Sequence, residues 1–310
     1  MGEYLIRRVL QMIPVLLIVS FMVFSILYLL PGDPVELMLA EVGASKEMMD
    51  QLRDQLGLND PFHVRYGRFL YDAIRLDFGR SIQTNRPVLR AIRSQLPATV
   101  ELTFSSMAFA VVFGVGAGSI AALRRDSLVD NAVMVFAVSG ISMPLYWQGL
   151  LLIFLFSLRL GWVPATGQGG LDRLLLPAIT LGTGAAGTIA RLTRSSVLEV
   201  LGEDYMRTAR AKGLPESAVL LRHGLRNALI PVVTVVGLQF GSLLGGAVLT
   251  ETVFARQGVG RLLVNAIYFK DFPMVQGTVF LAALAYMGVN LIVDIMYGFL
   301  DPRIKVGSRS

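Results

Sequence analysis

The chain has 310 residues, of which 54% are hydrophobic and 16% charged, with a net charge of +6 and a mean hydropathy of +0.61. That charged fraction is well below the roughly 25% of soluble domains, and the charges collect between apolar runs, which excludes a large soluble core. Cysteine is absent, so disulfide frameworks, thiol nucleophiles and thiolate metal sites are excluded as well.

A helix needs about 20 apolar residues to cross the roughly 30 Å hydrocarbon layer. The first run of that length is Val9 to Leu30, behind Arg7 and Arg8. It is too long for the apolar part of a secretory leader and no A-x-A site follows, so it reads as an uncleaved anchor. Pro31-Gly32-Asp33-Pro34 then reads as an interfacial turn. The 67 residues from Pro31 to Pro97 hold two amphipathic helices. One begins at a Ser45 N-cap, shows apolar residues at 48, 49, 52 and 56, and stops at Gly57; the other runs from about Pro61 to Leu76. Both are predicted to be pieces of an extramembrane cap packed against the span ends, with a dedicated ligand-docking surface as the alternative.

Five further runs follow: Ala98 to Leu123, Ala132 to Leu158, Leu174 to Ala190, Leu229 to Leu249 and Met274 to Leu300. The fold class is therefore an all-α membrane protein with six transmembrane helices. The chain divides into residues 1–30 with the first span, 31–97 as an extracytoplasmic loop, and 98–305 as a five-helix core that includes a loop at 195–228. Pro144 interrupts the third span and frees backbone groups that need neighbours or water. Ser142, Tyr146 and Gln148 beside it, with Gln239 in the fifth span, are the candidate polar lining of a pathway. Interhelix hydrogen bonding accounts for them equally well.

The loop between the fourth and fifth spans carries more punctuation than a solvated loop needs. Glu203 and Asp204 occupy the first turn of a short helix, and Arg210 and Lys212 its last, so both ends suit the helix dipole. Gly213 supplies a left-handed C-terminal position, and Pro215 restarts a helix with Glu216 beside it. Glu203 and Arg207 are spaced as an i, i+4 pair, leaving Leu201, Tyr205 and Ala209 as a docking strip.

Orientation follows the basic residues of the short connections. With the N-terminus inside, the cytoplasmic side holds fourteen Arg and Lys against five outside, while the long loop carries nine basic and nine acidic residues and translocates regardless. Both termini are thus expected in the cytoplasm. The positive charge is explained by membrane insertion, with no nucleic acid required.

Several patterns are decoys. Gly182-Thr183-Gly184-Ala185-Ala186-Gly187 fits a dinucleotide fingerprint, yet it lies within an apolar span and reads as close helix packing. Gly114 with Gly118, and Gly241 with Gly245, read the same way. His63 and His223 fall on opposite sides of the membrane, and there is no G-x-x-x-x-G-K-[ST] with which to bind ATP. Glu101, Arg191 and Asp294 lie within spans but away from their centres, which disfavours an ion-driven transporter or channel. Nor can paired carboxylates, a metal cluster or a nucleophile with its base be assembled for an intramembrane enzyme.

Tyr205–Leu214 (YMRTARAKGL) followed by Leu221–Pro231 (LRHGLRNALIP) resembles the cytoplasmic loop of ABC importer permeases in the dipeptide, oligopeptide and nickel branch. Leu30–Pro34, Leu96–Leu102, Glu251–Phe254 and Gly258–Leu263 are similar to that branch in the same order, so the likeness spans nearly the whole chain. Arg207 and Thr208 stand where the broad importer motif has Glu and its first Ala, whereas Ala209 and Gly213 are retained. The resemblance implies a type I permease fold and a non-catalytic subunit of an ATP-driven importer for di- or oligopeptides. Nickel chelates, glutathione and other small solutes are the alternative cargoes. It implies a second homologous permease, two cytoplasmic ATP-binding subunits that use ATP and Mg, and an extracytoplasmic binding protein as partners, in a bacterial inner membrane. Tyr205, Arg207, Thr208, Ala209, Arg210, Lys212, Gly213 and Leu214 would then dock on the ATPase, and no cofactor or metal would be held by this chain.

Overall fold

Inside a bilayer no water is available to backbone groups, so long apolar segments close their hydrogen bonds as helices. The structure, a computed structural model, describes residues 2–29, 35, 45–55 and 59–300. Among these residues every regular element is helical, with one isolated bridge between Arg80 and Pro87. The Pro31–Pro34 turn and the Gly57 stop fall outside the described residues.

The elements are α1 (Gly2–Leu29), α2 (Lys46–Gln55), α3 (Phe62–Ile74), α4 (Val88–Leu123), α5 (Leu128–Ser142), α6 (Leu145–Leu152), α7 (Gly170–Gly202), α8 (Asp204–Ala211), α9 (Glu216–Ala218), α10 (Arg226–Val253), α11 (Val259–Tyr268) and α12 (Phe272–Leu300). Five helical stretches are long and apolar enough to cross a membrane, and a sixth forms if the bent pair of α5 and α6 is one span. Five of the expected six spans are thus present, with different ends, and the expected third corresponds to the bent pair. The second begins at Val88 and the fourth runs on to Gly202. At 1.5 Å per residue α4 is roughly 54 Å long, well beyond the hydrocarbon layer.

The third span departs from the sequence expectation of a kinked but continuous helix. α5 and the segment Leu145–Arg159 diverge by 113°. Met143 (φ −78, ψ 129) and Pro144 (φ −57, ψ 131) are both extended. Proline disfavours the helical region for the residue before it and lacks an N–H, so two successive extended residues end one helix and begin another. Beyond Leu152 the coil widens into π-helical turns over Ile153–Arg159.

The chain forms two compact units, residues 1–97 with 258–288 and residues 98–257 with 289–310. In the first, Phe78, Val88, Ile92, Met274, Val275 and Phe280 form the core. Phe24 of α1 meets the rings of Phe62, Tyr66 and Phe69 of α3 at 5.3 to 5.8 Å. Asp271, itself buried, accepts hydrogen bonds from Ser81 Oγ and the Ile82 N–H, which pins the 77–87 loop to the start of α12.

In the second unit α7 is the central helix, packed against α5 and α10. Its small residues let backbones touch. A Cβ at Gly182 would meet Ser106 O of α4, and one at Gly187 would meet Ala137 O of α5. The dinucleotide-like motif is therefore a two-sided packing seam. Gly118 of α4 abuts Ala190 O in the same way. The expected Gly241 and Gly245 seam differs: Gly245 faces open space, and Gly246 packs on Leu181.

Candidate coupling site

α7 ends where Glu203 turns extended (φ −70, ψ 145) at the N-cap of α8. α8 carries Asp204 in its first turn and Arg210 in its last, matching the helix dipole at both ends. Its inner face is apolar. Met206 is fully buried and Ala209 nearly so, against Val219, Val200 and Leu201. Tyr205, Arg207, Thr208, Arg210, Lys212 and Leu214 are exposed.

The sequence reading placed Ala209 on an outward strip with Tyr205. The structure turns Ala209 inward instead, because helical spacing puts it beside Met206, and that pair is what the corner buries. The Glu203 and Arg207 pair is also not formed: helical geometry starts one residue later, and Arg207 lies 3.7 Å from Asp204.

Gly213 has φ +76 and its N–H donates to Arg210 O at 2.9 Å, which closes α8 with a left-handed residue. A Cβ there would meet nothing within 4 Å, so the demand for glycine is purely conformational. Pro215 then starts α9, which widens into π-helical turns over Val219–Leu225 and continues into α10.

Two polar contacts hold the corner shut. Arg210 donates to Glu216 through Nε and Nη2 at 3.0 to 3.3 Å. Asn227 Nδ2 donates to the Tyr205 hydroxyl at 3.2 Å. Hydrogen bonds from Arg210 hold the Glu216 carboxyl below its ordinary value, and the same contact raises the Arg210 guanidinium.

Three long helices meet above this corner, through Ala122 of α4, Val197 of α7 and Ala228 of α10. Arg194 of α7 grips Asp130 of α5 with two parallel bonds of 2.6 Å. Asp130 is buried and also accepts from the Asp126 N–H, while its own N–H donates to the Ser127 N-cap hydroxyl. The sequence reading counted Arg194 among the basic residues and passed over Asp130. Ser127-Leu128-Val129-Asp130 has the capping-box spacing that could have marked it.

At the opposite end of the same unit, Thr99 Oγ1 donates to the fully buried Glu251 at 2.6 Å. Glu101, read in the sequence as an ionisable residue within a span but away from its centre, accepts from Arg256. The pathway candidates are less gathered. Ser142 and Tyr146 are exposed, Gln148 and Gln239 half-buried, and none of the four hydrogen-bonds another among the described residues. Leu145 packs at Gly246, roughly two turns along α10 from Gln239.

Comparison with known proteins decides what this corner belongs to. Residues 114–306 match the family described as "Binding-protein-dependent transport system inner membrane component", and residues 1–103 match its N-terminal companion. The chain belongs to this family of ABC importer permeases. It is 46% identical over 305 residues to the glutathione transport system permease protein GsiC of Escherichia coli strain K12, covering 98% of this chain and 99% of that one. The GsiC protein of Shigella flexneri serotype 5b is equally similar. Among solved structures, the inward-facing MetNI methionine ABC transporter superposes with a TM-score of 0.57 at 21% identity, covering 69% of this chain and 97% of that chain. An amino acid ABC transporter with histidines gives 0.51 at 16% identity, over 69% and 94%. These two share the permease fold. This permease is accordingly a multi-pass protein of the bacterial inner membrane.

Proposed function

We propose that the permease forms half of a translocation pathway together with a second, homologous permease, and that its 195–228 loop docks on one of two cytoplasmic ATP-binding subunits. The chain's own residues do no catalysis; ATP and Mg are used by those partners, and an extracytoplasmic binding protein delivers the cargo. Both termini lie in the cytoplasm. Residues 31–97 form the extracytoplasmic loop, and 98–305 the core that moves.

The observation that carries this reading is the corner itself. α8 is capped at both ends, turned sharply at Gly213 and joined without a flexible linker to α7 and α10. A push on α8 is therefore delivered to two long helices, and through the Ala122, Val197 and Ala228 contact and the Arg194–Asp130 fork to α4 and α5 as well. Exposed Tyr205, Arg207, Thr208, Arg210, Lys212 and Leu214 form the docking face, with Ala209 and Gly213 shaping it from within.

A chain without cysteine allows a clean test. Arg207→Cys and Lys212→Cys, each alkylated with a benzophenone maleimide, should on illumination insert into C–H bonds of an ATPase subunit in the assembled transporter, in a yield that changes when ATP is added. Intact assembly without any such cross-link would overturn the docking assignment.

The cargo is a short peptide-like solute. The 46% identical relatives are named for glutathione, a tripeptide, and this supports a peptide-sized cargo of that kind. Uptake of labelled glutathione into vesicles holding the full transporter, with unlabelled di- and tripeptides as competitors, discriminates the two. Uptake unaffected by any peptide would sink the cargo assignment and leave the coupling assignment standing.

A further inference from the structure

The helix α3 is amphipathic and sits in the long loop, so its sequence alone places it outside the membrane. Its contacts with α1 set its depth. Arg7 and Arg8 fix one end of α1 at a membrane surface, since cations are costly in hydrocarbon. The apolar stretch then runs over Ile6–Ile26. Counting roughly 1.5 Å per residue from Arg8, Leu17 stands about 14 Å and Phe24 about 24 Å into a layer of roughly 30 Å.

α3 packs on this portion of α1. Phe62 and Tyr66 meet both Phe21 and Phe24 at 5.3 to 5.7 Å, and Phe69 meets Phe24. The Tyr66 hydroxyl donates to Leu17 O at 3.2 Å and lies 3.0 Å from the Ser20 hydroxyl. A tyrosine at an aqueous surface has water for a partner; here the hydroxyl is satisfied by backbone and a buried serine, as hydrocarbon demands. The far end of α3 agrees. Phe69 meets Phe280, which stands eight residues inside α12, roughly 12 Å from its start.

The opposite face of α3 carries Val64, Tyr71 and Ile74, the last 82% exposed. On α1, Ile18 and Met22 are likewise more than half exposed. Arg68 and Arg75 lie on the same stripe as Val64 and Tyr71 by helical spacing, and both have partners: Arg75 covers the Tyr71 ring at 4.1 Å and Arg68 pairs with Asp60 at 2.7 Å. Apolar and aromatic residues interleaved with arginines whose long stems reach back to the headgroups suit a helix lying in the plane of a membrane interface, sunk roughly 5–10 Å.

We propose that α3 is an in-plane membrane helix whose Val64, Tyr71 and Ile74 face contacts the acyl chains of phospholipid in the leaflet at the Ile26 end of α1. It props α1 from the side and widens the footprint of the permease in that leaflet. The proposal holds whichever side of the membrane that leaflet faces, so it stands apart from the assignment of partners and cargo.

Single nitroxide labels at Val64→Cys, Tyr71→Cys and Ile74→Cys, in the complete transporter reconstituted in phosphatidylethanolamine and phosphatidylglycerol vesicles, test this by collision with oxygen and with a water-soluble nickel chelate. Ile18→Cys serves as the lipid reference and Glu47→Cys, exposed on α2, as the aqueous one. Labels on α3 should favour oxygen over the chelate several-fold, as at Ile18. Chelate access like that at Glu47 would overturn the proposal. Exclusion of both reagents would overturn it too, because another protein subunit would then cover the face.

Discussion

Two arginine–carboxylate forks flank the α7–α8–α10 corner and behave differently. Arg194 holds Asp130 across 64 residues of chain with two 2.6 Å bonds, and the carboxylate is buried. Arg210 holds Glu216 across six residues, at 3.0 to 3.3 Å, with both side chains in solvent. The chemistry is the same and the environment is not. Removing one partner of a dry pair strands a charge, whereas water replaces the lost partner of a wet one. The first fork therefore joins α5 to α7 as a structural tie, and the second shapes a local turn.

Breaking the buried fork should have the largest effect. Asp130→Ala cuts the tie between α5 and α7 and leaves Arg194, whose side chain is 26% exposed, without its carboxylate, so uptake is expected to fall several-fold with loss of assembled complex. The double change Asp130→Leu with Arg194→Met should recover much of the assembly, read by thermal denaturation of the purified complex. Equal damage from the single and double variants would show that the charges act beyond the tie. Gly118→Leu attacks the same α7 seat sterically, forcing a side chain against Ala190 O; about 1–3 kcal/mol of destabilisation or more is expected, measured by the same denaturation.

The corner itself comes next. Gly213→Val places a β-branched residue in the left-handed region, at a cost of about 1–2 kcal/mol confined to the turn. Membrane insertion should be normal while ATP-dependent uptake falls. Ala209→Arg should do the same, through eviction of Met206 from its contact with Val219. Full uptake with normal ATPase association in both variants would remove the lever role.

The exposed fork should matter least. The Glu216 carboxyl is held below its ordinary value of 4.5, so its contribution is complete above that value and disappears as the pH falls through the depressed one. Glu216→Gln should change uptake little near neutrality and flatten the acid-side decline in ATPase association. A large loss at neutral pH would place Glu216 in the docking contact itself.

Much of the corner is legible in the chain. Asp204, Arg210, Gly213 and Pro215 each have one strong local preference, and local preferences survive into the fold because the corner has few distant neighbours to override them. The inward turn of Ala209 was not legible, since a small residue suits a buried face and an outer docking edge equally. The break at Pro144 was half legible: proline announces that a helix is disturbed, but the 113° divergence depends on Met143 and Pro144 both being extended. Asp130 escaped notice because its partner is 64 residues away and no periodicity reports such a distance.

Apolar length and the placement of charge determined that this is a helical membrane protein with five or six crossings, because desolvation of backbone and charge is a property of each segment by itself. Which glycines touch backbone, which carboxylate is dry, and how deep α3 lies were decided by tertiary structure. These depend on which segments become neighbours: Gly182 and Gly187 open opposite sides of α7 to α4 and α5, and Tyr66 finds the Leu17 carbonyl only once α3 lies across α1.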